Sequence, residues 1–90
     1  MKYVVMEARK GNLRYKFPVM FPNHLVHANV AKAIARVLRD DGWQDPKPRS
    51  AGEYNPITCE CHGNSETLKL EAHIDDSGLI ANCDYGAGAY

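Results

Sequence analysis

Two alternating segments around Gly11-Asn12, "KYVVMEARK" (Lys2–Lys10) and "LRYKFPVMF" (Leu13–Phe21), constrain the fold more than any other feature. Alternation of apolar and polar residues is the signature of a half-buried strand. Gly11-Asn12 supplies the positive φ that a two-residue hairpin turn needs. Closing the loop there fixes a register. Ala8 faces Tyr15, Met6 faces Phe17 and Val4 faces Val19, which gives one apolar face. The other face sets Glu7 against Lys16 and Arg9 against Arg14. Opposed arginines repel across a strand pair, so an acid is expected close by. Pro18 cannot donate to a ladder, which places its strand at an edge or near its end.

The next segment, "FPNHLVHANVAKAIARVLRDDG", has helical spacing. Asn23 is the expected N-cap and Gly42 the expected stop. Val26, Val30, Ala33, Ile34, Val37 and Leu38 form one stripe, with Asn29, Lys32, Arg36 and Arg39 opposite. "DGWQDPKPRSAGEYNP" then reads as a long connection, rich in Pro, Gly and Asp, with Trp43 plugging the edge of the core. "ITCECH", a turn at Gly63-Asn64 and "SETLKLEAHI" predict a second hairpin, with Cys59 opposite Leu68 and Ile57 opposite Leu70. "DDSG" suits a turn leading to "LIANCDY" as a last strand, and a short helix capped by Ser77 competes with that reading. The expected fold is α+β: an antiparallel sheet in the order β-β-α-β-β-β, with one long helix packed on one face. The 90 residues suffice for a single domain, and residues 86–90 read as a flexible tail.

Charge is unevenly distributed. Residues 1–39 carry eight cations against Glu7 alone, a formal +7, and residues 40–90 carry three cations against ten acids, a formal −7. Two readings follow: the halves neutralise each other on packing, or the cations form a footprint for an acidic partner. No apolar run approaches the roughly 20 residues of a membrane span. The first residues also lack the pattern of a signal peptide, so a cytoplasmic protein is expected. Three cysteines without a secretion signal point to free thiols.

Few residues suggest chemistry. "PITCECHG" (residues 56–63) places Cys59, Cys61 and His62 together, and Cys83 would join them if the last strand pairs as drawn. Three thiolates and an imidazole match a zinc set in composition. Cysteines at i, i+2 on a strand face shared with Leu68 and Leu70 of the facing strand are more simply small core residues, however. His24 and His27 lie at i, i+3 at a helix start, where the dipole disfavours a protonated ring. "HIDD" (residues 73–76) puts a histidine beside two carboxylates, as acid–base chemistry would want, but turn formation also explains it. No phosphate loop, nucleophile elbow or dinucleotide fingerprint occurs. The expectation is a protein that is not an enzyme and uses no cofactor or metal. Nucleic acid is a poor fit: the isoelectric point is near 6.9, and Tyr15 and Phe17 face inward by register.

Two segments carry a resemblance. The "FP-x-x-FP-x-x-LVHA-x-VA" passage within residues 16–34 and the "SAG…CHG-x-S-x-T-L" pattern within residues 48–70 are similar to a family of small uncharacterised accessory proteins of tailed phages and prophages. This chain adds Cys59 beside the "CHG" element. The resemblance covers about half the chain and brings no site residues with it. It implies a phage-encoded protein in the bacterial host cytoplasm that binds and blocks a host or defence protein. The cations of the hairpin and helix (Arg9, Arg14, Lys16, Lys32, Arg36, Arg39), with the loop around Trp43, are then the expected binding surface. Charge reversal at Arg14 and Arg36 together is expected to abolish capture. A structural, virion-associated homo-oligomer that adds strands at the edge near Pro18 is the alternative.

Overall fold

A computed structural model of the chain describes residues 1–81. The first hairpin forms as the alternation requires. Strands β1 (Lys2–Lys10) and β2 (Leu13–Phe21) pair antiparallel with Ala8 opposite Tyr15, Met6 opposite Phe17, Val4 opposite Val19 and Arg9 opposite Arg14. Gly11 has φ 63°, in the region a glycine enters without steric cost.

Helix α1 (His27–Asp40) follows. It starts later than Asn23: Val26 is its N-cap and offers no side-chain cap, and the Ala28 N–H of the first turn donates to Thr67 Oγ1 at 3.2 Å instead. It ends at Asp41, and Gly42 at φ 89° turns the chain away. Its buried line is His27, Ala31, Ala35 and Leu38, rotated from the stripe predicted at Val26, Val30, Ala33, Ile34, Val37 and Leu38. Small alanines let the helix approach the sheet closely, so the line of contact runs along them. Val30 and Ile34 pack at its margin, while Val37 stays exposed.

The largest departure from the sequence reading is the supposed connection after α1. Residues Gln44–Asn55 form a twelve-residue strand, β3, paired antiparallel with β1. Register shifts fall between Val5 and Met6 and between Glu7 and Arg9, which bulges β3 at Arg49 and around Asp45–Pro46. Asp45 takes φ 51° there. The prolines are tolerated because β4 (Glu60–His62) pairs only with residues 53–55 of β3, leaving its first half as an edge. The sheet order is β2-β1-β3-β4.

The expected second hairpin does not form. Residues 56–59 are a turn, with Cys59 at φ 60° and Ile57 91% exposed, so neither sits opposite a leucine. Two-residue strands β5 (Asn64–Ser65) and β6 (Leu70–Glu71) pair with each other instead, beside β3. The short helix prevails over the last strand: α2 spans Asp76–Ala81, beginning one residue before the expected cap, Ser77. The expected tail, residues 86–90, lies outside the described residues. No helix among the described residues is long and apolar enough to cross a membrane.

Both faces of β1 are covered. Val4, Met6 and Ala8 meet Ala31, Ala35 and Leu38 of α1, with Phe21 and Ala51 in the same cluster. The opposite face carries Tyr3 and Val5, both fully buried, and there Asp76 anchors α2. Gly52 allows a close backbone approach between β3 and β4. A Cβ at that position would collide with the carbonyl oxygen of His62, and its own carbonyl lies 3.1 Å from Nε2 of the buried His27.

Candidate functional site

The cations of the hairpin and of the helix stand on opposite sides of the molecule. In β1 and β2, the residues flanking Ala8 and Tyr15 point away from α1, which puts Arg9, Arg14 and Lys16 on the far face of the sheet. Acids meet two of them. Arg9 pairs with Asp45 at 3.0 Å, and the Arg14 guanidinium lies 3.7 Å from Glu7. The acid that the Arg9–Arg14 opposition called for is therefore present twice. These residues line a shallow depression with Gln44 and Lys47, and its charges largely cancel. Lys16 lies apart from it, with Pro18, beside Asp75 and the first turn of α2.

The outer face of α1 is different. Lys32, Arg36 and Arg39 recur at helical spacing and line one open depression of about 410 Å³ with Asn29 and Ala33. None of the three forms an ion pair with a described acid. Lys10 and Arg9 meet Asp41 and Asp45 of the acidic half, so the charge split is partly cancelled within the chain. It is not cancelled along α1, where Asp40 is the one acid. Trp43 packs edge-on against Phe17 at 4.9 Å and Tyr15 at 5.3 Å, under the Lys10 ammonium, and donates its indole N–H to Asp41. It seals the end of the core beneath the C-terminus of α1.

The residues that suggested chemistry are dispersed. Cys59 is exposed in its turn, Cys61 is half-buried, and the exposed His62 lies 3.9 Å from Glu53. Cys59 is therefore not a core residue. Cys83 lies outside the described residues. Among those described, no group of three His, Cys, Asp or Glu side chains is placed to hold a metal. His27 is a core residue stacked edge-on against Phe21, not a polar residue of the helix start, whereas His24 is exposed.

One polar cluster was not anticipated. The carboxylate of Asp76, 0% exposed, accepts from Tyr3 Oη at 2.5 Å, Ser50 Oγ at 2.8 Å and the His73 backbone N–H at 2.8 Å. Burial and the Asp76 bond hold the Tyr3 hydroxyl protonated far above the usual tyrosine range. Burial also pushes the Cys61 thiol up, against the opposing pull of its contact with Tyr3. Sealed from solvent, the cluster fastens α2 to the sheet. The adjacent HIDD residues complete this anchor: Asp75 faces His73 at 3.4 Å and Arg49 at 3.8 Å. A buried carboxylate at a strand-to-helix turn leaves no sequence signal distinct from an ordinary Asp-rich turn. Comparison of the chain with protein-family models, curated proteins and solved structures returned no match.

Proposed function

We propose that the chain is a non-catalytic binding module for an acidic protein surface, with the outer face of α1 as its recognition surface. One observation carries the reading: Lys32, Arg36 and Arg39 project from a single helix face without an acidic partner among the described residues. Cations spaced along one helix backbone present charge at a fixed spacing, which favours fast encounter and selective docking. Arg9 and Arg14 contribute less, because Asp45 and Glu7 already engage them. Arg14 and Arg36 lie on opposite sides of the sheet, so one flat partner meets only one of them, and Lys32 with Arg36 is the informative pair. The resemblance of residues 16–34 and 48–70 to phage accessory proteins supports the biological context: a host or defence protein as the partner, blocked by occupancy in a bacterial cytoplasm. Affinity capture from a bacterial lysate tests the reading. A host protein retained by the wild type and lost by a folded Lys32→Glu/Arg36→Glu variant is the expected result. Equal retention by both would remove α1 from the interface.

The nine-residue open edge of β2 favours a second reading, a homo-oligomer built by strand addition. Pro18 withholds a donor in mid-strand, and Arg14 and Lys16 place cations along the same edge, both of which oppose that pairing. A light-scattering mass above 10.1 kDa that is independent of concentration would support the oligomer.

A further inference from the structure

The depression on the outer face of α1 has the residue pattern of a socket for another helix. Asn29, Lys32, Ala33 and Arg36 stand at i, i+3, i+4 and i+7, all exposed, and with Arg39 they line its volume of about 410 Å³. Four positions in that relation are the corners of the hole that a side chain of a facing helix fills in knobs-into-holes packing. Ala33 makes the hollow, because its methyl group stands among three longer side chains. The sequence places Ala33 on the apolar stripe, but the buried line runs through Ala31 and Ala35 and leaves Ala33 outside. Charge borders the same hollow. At about 100° per residue, Lys32, Arg36 and Arg39 fall within about 60° of one another, on one side of the line from Asn29 to Ala33. None of the three is in an ion pair with a described acid.

Resting on the binding-module reading above, we infer that the acidic surface of the partner is itself an α-helix, laid along α1. One small or apolar side chain of that helix seats over Ala33. Its carboxylates face Lys32, Arg36 and Arg39, at i, i+4 and i+7 if it runs parallel to α1 and at i, i+3 and i+7 if antiparallel. The spacing argues for this occupant. The three cations lie roughly 6 Å and 4.5 Å apart along the axis of α1, and a facing helix repeats those steps. An extended segment sets its same-side residues about 6.6 Å apart and has lost register by the third cation. Asp40, four residues after Arg36, ends the cationic strip, so the partner's acids stop short of it. A second copy of the chain is a poor occupant. Among its described helices, α1 carries Asp40 alone, and the one acid of α2 is the buried Asp76.

The test uses the full chain and a designed helical peptide of about 14 residues, with glutamate at i, i+3, i+4 and i+7 beside a small apolar strip. One control has the same composition with its glutamates spread around the helix. A second keeps the glutamate positions but carries two central prolines, which break the helix. Amide shifts locate the contact. The expected result is saturable binding of the patterned peptide about tenfold tighter than either control, with shifts at Asn29, Lys32, Ala33, Arg36 and Arg39. Ala33→Gln fills the hollow at an exposed position with a good helix former and leaves the cations in place, so it should abolish that preference without unfolding the chain. Four results would overturn the inference: equal binding of the patterned peptide and either control, no saturable response to the patterned one, a preference that survives Ala33→Gln, or a wild-type dimer that Ala33→Gln dissociates. Host-protein capture lost in Lys32→Glu/Arg36→Glu but retained in Ala33→Gln would also reject the helix, while leaving the basic-face reading in place. Equal capture by the wild type and both variants would reject the two together.

Discussion

Replacing Asp76 by alanine removes the acceptor of three hydrogen bonds, two from side chains that are essentially fully buried, Tyr3 and Ser50, and one from the His73 amide. A bond to a carboxylate contributes about 1.5–3 kcal/mol, and a buried donor left without an acceptor costs about 1–3 kcal/mol. The three bonds share one group and are not additive. A loss of about 4–6 kcal/mol is therefore expected. A domain of this size has a total stability of roughly 5–13 kcal/mol, so Asp76→Ala should lie near the edge of folding. Asparagine discriminates between this account and simple loss of volume. Its carbonyl oxygen can occupy the Oδ2 position, keeping Tyr3 and His73, while its amide turns toward Ser50, whose hydroxyl can rotate to accept. Asp76→Asn should then lose only about 1–2 kcal/mol. Urea unfolding followed by the fluorescence of Trp43, the single tryptophan, measures both variants. An alanine variant within about 1 kcal/mol of wild type, or an asparagine variant as damaged as alanine, would refute the hydrogen-bond reasoning.

Further outcomes follow from the same packing. Tyr3 is held protonated in the fold and ionises near pH 10 when unfolded, so the unfolded chain binds fewer protons above that pH. Stability should be insensitive to this group below pH 10 and fall by about 1.4 kcal/mol per pH unit above it. Tyr3→Phe should be less stable at pH 7 but show a flatter alkaline decline, and parallel slopes would contradict the assignment. Gly52→Ala should destabilise by about 2–3 kcal/mol in the same urea assay, because its Cβ meets the His62 backbone and not a movable side chain. An unchanged midpoint would mean that β4 shifts freely. The Cys61 thiol, raised by burial, should react with iodoacetamide at pH 8 about tenfold slower in the folded chain than in urea, measured with Cys59 and Cys83 replaced by serine. Equal rates would show that it is not protected.

Those parts of the fold set by short-range chemistry were legible in the sequence. The β1–β2 register followed from Gly11-Asn12 and the alternation, down to Arg9 opposite Arg14 and its demand for an acid. The existence of helix α1 and its basic side were legible too, but its start at His27 and its buried line along Ala31 and Ala35 were not. Parts decided by long-range pairing were not. Segment 44–55 has the composition of a loop, and it becomes a strand because β1 offers a free edge and β4 covers only its last residues. The Cys59 and Ile57 alternation was a misleading periodicity, since a turn at residues 56–59 exposes both. The cations were visible one by one, but their division between two sides of the sheet required the topology. Neither Tyr3 nor Ser50 carries a local pattern that pairs it with Asp76 across the chain.

The central claim is that the unneutralised face of α1 recognises an acidic protein surface. Parallel affinity capture from one bacterial lysate, with the wild type and a Lys32→Glu/Arg36→Glu variant of equal thermal stability, tests it most directly. The account predicts one dominant host protein on the wild type, weakened by added salt, and its loss from the variant. The same protein retained equally on both would contradict the claim.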